Sequence, residues 1–117
     1  MRLETLRNRR DFLAAARARK AVTTGIIVQR RDRREDETET PVTRVGYTAS
    51  KKVGNAVLRN RAKRRMRAIA REVLGLREAT GTDFVLIARS GSTVERPYDA
   101  LRGDLEYALR KLDRPSS

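Results

Sequence analysis

The residues that could do chemistry are concentrated in the segment 59–71, where seven arginine or lysine side chains occur within thirteen residues. Guanidinium groups bind phosphate through paired hydrogen bonds and also stack on nucleobases. Neither imidazole nor thiolate chemistry is available beside them, because the 117-residue chain contains no His and no Cys. The segment therefore indicates phosphate recognition rather than hydrolysis by protein side chains.

The charge of the chain is distributed unevenly along its length. With 28 Lys and Arg against 15 Asp and Glu, the formal net charge is +13. Residues 40–71 contain ten basic and no acidic side chains, whereas residues 72–117 contain seven basic and eight acidic ones. An external polyanion would relieve the repulsion within the first of these segments, so we expect a nucleic-acid partner. An anionic membrane surface is a much weaker alternative.

The length and the apolar content favour a single domain, residues 1–117. Apolar runs reach only about six residues, which is too short to span a bilayer. The beginning of the chain is too polar for the apolar region of a signal peptide. These features predict a cytoplasmic protein with no membrane partner.

Periodicity predicts the order α-β-β-α-β-α, with room for one extra short strand, in an α+β fold: a two-layer α/β sandwich. The predicted elements are a helix at 5–19, a strand at 22–30, a hairpin loop at 31–41, a strand at 42–49, a helix from Asn55 to about Leu74, a strand at 84–88 and a helix from Pro97. The run 84–88 is apolar on both faces and is expected at the centre of the sheet.

The aromatic residues are few, and we expect Phe84, Tyr98 and Tyr107 to pack in the core. In the first helix, Leu6 and Leu13 form the predicted buried stripe. Phe12 lies about 100° from that stripe. It is therefore expected to face a groove, where its ring could stack on an unpaired base.

The middle helix is predicted to divide into an apolar stripe and a cationic surface. The stripe consists of Leu58, Ala62, Met66, Ile69 and Val73, and the opposite side carries Asn60, Arg64, Arg67 and Arg71. Arg64 and Arg71 are separated by roughly 10 Å along the helix axis, a distance that reaches one or two successive phosphates. Asn55 is the predicted N-cap, and the lysine-containing turn at 50–54 before it is a natural phosphate seat.

The sequence of residues 50–65, SKKVGNAVLRNRAKRR, resembles the protein subunit of bacterial ribonuclease P. The hallmark of that family is an Arg-Asn-Arg motif on the helix after a Ser-Lys-Lys-x-Gly-Asn turn. Residues 6–12, 44–46 and 83–89 are also similar to the family's first helix, a strand lead-in and its central strand. The resemblance covers nearly the whole chain.

The resemblance implies a ribosomal S5 domain 2-like fold with a left-handed β-α-β crossover. It implies a 1:1 partnership with the ribonuclease P RNA subunit, which cleaves the 5′ leader from precursor tRNA and holds the required Mg²⁺ at its own active site. The protein would then raise substrate affinity and lower the Mg²⁺ demand. It would need no catalytic residue, no metal ligand and no obligate protein partner.

The resemblance also implies two sets of binding residues. RNA-subunit contacts are expected from Lys51, Lys52, Asn55, Arg59, Asn60, Arg61, Lys63, Arg64, Arg65 and Arg67, and contacts in a leader-binding cleft from Arg9, Phe12, Arg17, Arg30 and Arg44. The family's second aromatic position in the first helix is occupied by Ala16, and its first-strand aromatic is replaced by the aliphatic run 26–28. Arg17, Arg19 or Arg30 is expected to compensate electrostatically.

Two other functions compete with this interpretation. An RNA-binding module of another ribonucleoprotein, such as the ribosome, would share the charge and the small α/β fold but not the motif at 50–65. A self-sufficient protein nuclease would need clustered carboxylates for two metal ions. The acidic residues at 32–39 fall in a predicted flexible loop, which is a poor scaffold for such a site.

Overall fold

The computed structural model describes residues 3–33, 42–77 and 80–113. These residues form five strands and four helices, which are β1 (Leu3–Thr5), α1 (Arg9–Ala16), β2 (Arg19–Val22), β3 (Ile26–Asp32), β4 (Thr43–Thr48), α2 (Ala56–Val73), β5 (Thr82–Ala88), α3 (Ser92–Glu95) and α4 (Tyr98–Asp113). A short 3-10 turn, Lys51–Val53, precedes α2. The predicted α+β class is confirmed. In the described ranges, no helix combines the length and the apolar character needed to cross a membrane.

The strands form one sheet in the order β1-β4-β5-β3-β2. Strand β4 runs parallel to both β1 and β5, whereas β3 runs antiparallel to β5 and to β2. The apolar strand β5 is central, as its sequence predicts. Helix α2 is the crossover between the parallel neighbours β4 and β5, and the left hand of this crossover stays a prediction.

The N-terminal third of the chain differs from the sequence prediction. The predicted helix at 5–19 is shortened to α1, because residues on both sides of it pair in the sheet: β1 with β4, and β2 with β3. The predicted single strand at 22–30 is therefore two strands joined by a turn. Strand β3 also continues to Asp32, into the predicted loop. The acidic residues 35–39 of that loop lie outside the described residues.

The turn between β2 and β3 is hydrogen-bonded to residues of α3 and α4. The Gly25 N–H donates a 3.0 Å hydrogen bond to Oδ2 of Asp104, and the Thr93 hydroxyl donates to the Gly25 carbonyl at 2.5 Å. A Cβ atom at Gly25 would lie 2.5 Å from the Asp104 carboxylate and 2.6 Å from Leu101. Glycine at this position thus permits the hairpin to approach α4 closely.

The two faces of the sheet carry separate apolar clusters. The larger cluster lies between the sheet and helices α2 and α4. On the opposite face, Leu6, Ala15 and Val85 form a small cluster against which Phe12 and Ile87 pack. The sandwich therefore has a main helical layer on one face and α1 alone on the other.

Two sequence predictions about individual side chains are wrong in part. Leu6 is buried but precedes α1, and Leu13 is 46% exposed, so these residues do not form a helical stripe. Phe84 is in the core as predicted and the half-buried Tyr98 packs against that core, whereas Tyr107 is 46% exposed.

Arginines from β2, from β3 and from the segment after α2 gather at the C-terminus of α4. Arg19 donates to the Leu112 carbonyl at 2.7 Å, Arg30 donates to Oδ1 of Asp113 at 2.7 Å, and Arg77 donates to both oxygens of Asp113 at 2.8 and 2.9 Å. Cations are favourable here because the carbonyl groups at a helix C-terminus carry partial negative charge. Burial alone would raise the pKa of Asp113, but hydrogen bonding and attraction from Arg77 and Arg30 outweigh it and lower this pKa below 3.8.

We expect Asp113→Asn to reduce the free energy of unfolding in a pH-dependent way. A depressed native pKa contributes stability that is present above the unfolded-state pKa of 3.8 and is lost as the pH falls through the native pKa. The cost at pH 7 should be below about 1 kcal/mol because the side chain is 42% exposed. Urea unfolding at pH 7 and near pH 2 measures this. Arg77→Gln should show the same trend, and a cost that is equal at both pH values would contradict the account.

Candidate nucleic-acid interface

The N-terminus of α2 is built by the turn that precedes it. Gly54 has a φ of 145°, a backbone conformation that residues with a Cβ atom rarely adopt. The side chain of Asn55 then accepts a 3.0 Å hydrogen bond from the Leu58 N–H, which confirms the predicted N-cap. Lys51 and Lys52 are exposed in the 3-10 turn, so their charges stand beside the positive end of the α2 dipole.

The packing of α2 determines which of its cations face outward. Ala62, Met66 and Ile69 are fully buried against the sheet, as the predicted stripe requires. The exposed basic and amide side chains, which we call the α2 cationic face, are Lys51, Lys52, Asn55, Asn60, Arg61, Arg64, Arg67 and Arg71. Within the described ranges, Arg61, Arg64 and Arg71 have no side-chain hydrogen bond or ion pair. This face therefore presents positive charge that the fold does not neutralise.

Arg67 is held at the edge of this face by an aromatic ring. Its guanidinium carbon lies 5.3 Å from the centroid of the Tyr47 ring, on strand β4. Burial raises the pKa of Tyr47, with Arg67 and Arg71 opposing the rise. The Tyr47 hydroxyl is consequently protonated and uncharged at neutral pH. The ring therefore makes a cation–π contact with Arg67 and does not neutralise its positive charge.

Three predicted RNA contacts have more enclosed positions on α2. Arg59, Lys63 and Arg65 are half-buried. Arg65 donates to the carbonyls of Thr93 at 2.8 Å and of Val94 and Arg96 at 2.5 Å, and so ties α3 to α2. Arg65 was predicted to contact RNA. In the structure its guanidinium group donates its hydrogen bonds to backbone carbonyls of the protein.

A second surface lies on the opposite face of the sheet, beside α1. The Phe12 ring covers Gly46, where a Cβ atom would lie 2.5 Å from ring carbons, so glycine at this position leaves room for the aromatic side chain. The neighbouring sheet surface is aliphatic, with half-buried Ile27 and Ile87 and with Val22 52% exposed. We call this surface the α1 cleft. Lys20 is exposed at its edge, on the outer strand β2.

A buried charge cluster attaches α1 to the sheet. Asp83, which is 0% exposed, accepts two hydrogen bonds from Arg44, at 2.7 and 2.8 Å, and one at 2.5 Å from Arg33. Arg31 lies 3.4 Å from the same carboxylate. Asp11 of α1 approaches Arg44 at 3.4 Å and Arg31 at 3.6 Å, so two arginines bridge the helix and the strand. We call these five residues the Asp83 cluster.

The predicted leader-cleft residues do not all share one surface. Phe12 lies beside the α1 cleft, Arg9 and Arg17 are exposed at the two ends of α1, and Arg44 belongs to the Asp83 cluster on the same side. Arg30 is a correction. It contacts Leu112 and Asp113 on the α4 side, because strand alternation directs it to the same face as Ile26 and Val28.

The same alternation excludes Arg19 from the α1 cleft, since it too bonds the end of α4. Of the three arginines expected to compensate for the missing aromatics, Arg17 alone stays on the α1 side.

Arg71 was predicted on the cationic side of the middle helix but not among the expected RNA contacts, and it extends the α2 cationic face by one turn. Sequence reasoning missed Lys20. Its place beside the α1 cleft follows from the pairing of β2 with β3, which the sequence pattern did not predict.

A sheet with uncompensated cations on one face and an aromatic-edged cleft on the other defines a small RNA-binding α/β sandwich. The Ribonuclease P family model matches residues 1–113. The chain therefore belongs to the family of ribonuclease P protein components, which act in tRNA processing, and the resemblance of residues 50–65 is confirmed.

Relatives and solved structures agree with this assignment. The ribonuclease P protein component of Ruegeria pomeroyi is 53% identical over 113 residues, covering 97% of this chain and 89% of the relative. That of Caulobacter vibrioides is 46% identical over 112 residues, covering 96% and 72%. The structure is similar to the RNase P protein from Thermotoga maritima, with a TM-score of 0.71, 29% identity and coverage of 97% and 99%. The Staphylococcus aureus RNase P protein has the same fold, with a TM-score of 0.74, 24% identity and coverage of 93% and 94%.

We expect Asp83→Asn to destabilise the fold by about 3–5 kcal/mol, because it removes the buried negative charge that Arg33, Arg44 and Arg31 share and leaves Asp11 alone beside them. Asp32→Asn is the matched control on β3. Its carboxylate is 65% exposed and pairs with Arg30, so the cost should stay below about 1 kcal/mol. Urea or thermal unfolding of the two variants measures the difference. Equal stabilities of the two variants would contradict a structural role for the Asp83 cluster.

Proposed function

We propose that this protein binds the ribonuclease P RNA subunit through the α2 cationic face and holds the 5′ leader of precursor tRNA in the α1 cleft. The RNA subunit carries out the cleavage at its own Mg²⁺ site, in a complex of one RNA and one protein. The protein raises substrate affinity and lowers the Mg²⁺ demand, and it works in the cytoplasm.

The observation that carries this proposal is the uncompensated charge of the α2 cationic face. Arginine forks are suited to phosphate oxygens, and α2 is rigidly packed on the sheet, so the cations form a preorganised surface. Protein cations that neutralise phosphates reduce the number of metal ions needed to screen the folded RNA. This effect supports the lower Mg²⁺ demand.

The assignment of the chemistry to RNA is supported by the roles of the buried carboxylates. Asp83 and Asp11 bind arginines within the Asp83 cluster, and Asp104 binds Arg96 at 2.6 Å. These carboxylates stabilise the fold and are surrounded by cations. In such surroundings they are poorly suited to collect divalent metal ions for hydrolysis.

The α1 cleft has the properties expected for a single-stranded segment. Its apolar floor and the Phe12 ring offer surfaces for bases, and Arg9, Arg17 and Lys20 surround it with exposed positive charge. Such a combination holds single strands with little dependence on sequence.

The proposal is tested by cleavage of precursor tRNA with a bacterial ribonuclease P RNA at low Mg²⁺, with and without the protein. We expect correct 5′ processing only when the RNA and the protein are present together. Arg61→Gln combined with Arg64→Gln should weaken RNA-subunit binding by at least about tenfold and reduce the log–log salt slope by roughly 1.5. Arg110→Gln combined with Lys111→Gln, on the exposed side of α4, is the matched control. Cleavage by the RNA subunit that is unchanged by adding the protein would contradict the proposal.

Leader recognition gives a separate prediction. Lys20→Gln should weaken holoenzyme binding of a precursor with a long leader by about threefold, through loss of one phosphate contact, and should not affect a one-nucleotide leader. Arg30→Gln, on the other face of the sheet, should leave both affinities unchanged in folded protein. Equilibrium binding at fixed salt measures the four values. A larger effect of Arg30→Gln than of Lys20→Gln on the long leader would contradict the position of the cleft.

A further inference from the structure

A groove lies between α2 and the first residue of α4. Its volume is about 360 Å³, and it is lined by Arg61, Arg64, Arg65, Ala68 and Tyr98. The groove is shallow and open to solvent. The groove adjoins the α2 cationic face and contains an aromatic side chain that the family resemblance did not assign.

Two walls of the groove are held in place by hydrogen bonds. Arg65 is bound to three backbone carbonyls around α3. The Tyr98 hydroxyl donates a 3.0 Å hydrogen bond to Oε2 of Glu72, which fixes the orientation of the ring. Desolvation and the bond to Glu72 raise the pKa of Tyr98, so the hydroxyl remains a donor at neutral pH.

The remaining lining residues leave space and charge for a ligand. Ala68 contributes only a methyl group to the lining. Arg61 and Arg64 are exposed on α2 and, within the part of the chain that the structure describes, have no hydrogen bond or ion pair of their own. A half-buried aromatic ring beside two such guanidinium groups combines a stacking surface with phosphate donors.

We propose that this groove binds one unpaired nucleotide of the RNA subunit, with its base against the Tyr98 ring and its phosphates bound by Arg61 and Arg64. The inference rests on the proposed function and deepens it. The nucleotide belongs to the RNA subunit rather than to the leader, because the groove is on the α2 side of the sheet and the α1 cleft is on the opposite side. Tyr98 is therefore a binding residue for an unpaired base.

Three variants and a matched control test the groove. Tyr98→Leu removes the ring, and Ala68→Phe fills the space, so both should weaken binding of the RNA subunit alone by at least about fivefold, the lower range for loss of one stacked base. Tyr98→Phe keeps the ring, and its affinity for the RNA subunit should stay within about threefold of that of the unaltered protein. Tyr107→Leu is the control, because Tyr107 is an exposed tyrosine of the same helix that does not line the groove. Circular dichroism checks that each variant is folded.

The titrations also distinguish failure of the groove from failure of the proposed function. Suppose that the unaltered protein supports cleavage and that the folded variants Tyr98→Leu and Ala68→Phe bind the RNA subunit with the same affinity. The groove proposal is then overturned, and the proposed function stands. A loss seen only when precursor tRNA is added to preassembled holoenzyme would place the nucleotide in the substrate and also overturn the proposal. If the unaltered protein neither binds the RNA subunit nor supports cleavage, both proposals fail.

Discussion

The structure depends on the fully buried carboxylate of Asp83. A chain with a net charge of +13 must place some of its arginines near one another when it folds, and an interior carboxylate makes this possible. Asp83 binds Arg44 and Arg33 and lies near Arg31, while Asp11 connects Arg44 and Arg31 to α1. Asp83 and Asp11 thus hold arginines inside the fold, whereas Arg61, Arg64 and Arg71 of α2 stay exposed on the surface.

The alternation of side chains along β5 then separates the two surfaces. Phe84 and Leu86 face α2 and α4, whereas Asp83 and Val85 face α1. One strand therefore supports the α2 cationic face through the main core and the α1 cleft through the Asp83 cluster. The surfaces lie on opposite faces of the sheet, so the two RNA segments of the proposed function would not compete for the same cations.

Features governed by local spacing could be predicted from the sequence. The extent of α2, its Asn55 cap, its buried stripe and the central position of β5 follow from helical and strand periodicity. The pairing of β1 with β4 could not be predicted, because these strands are distant in sequence. The hairpin of β2 and β3 is local, but its turn falls inside the run that the pattern predicted as a single strand at 22–30. The positions of Arg30 and Arg65 depend on strand register and on a helix packed across α2. Tyr98 lines a groove that exists only after α2 and α4 have packed together.

The central claim is that the two faces of the sheet bind different RNAs. Since the chain contains no Cys, single cysteines can carry a tethered iron chelate for local hydroxyl-radical cleavage. Asn60→Cys probes the α2 cationic face, and Leu13→Cys probes the exposed side of α1. In the assembled holoenzyme with precursor tRNA, the account predicts strand breaks in the RNA subunit from position 60 and in the 5′ leader from position 13. Breaks in the same RNA segment from both positions would contradict it.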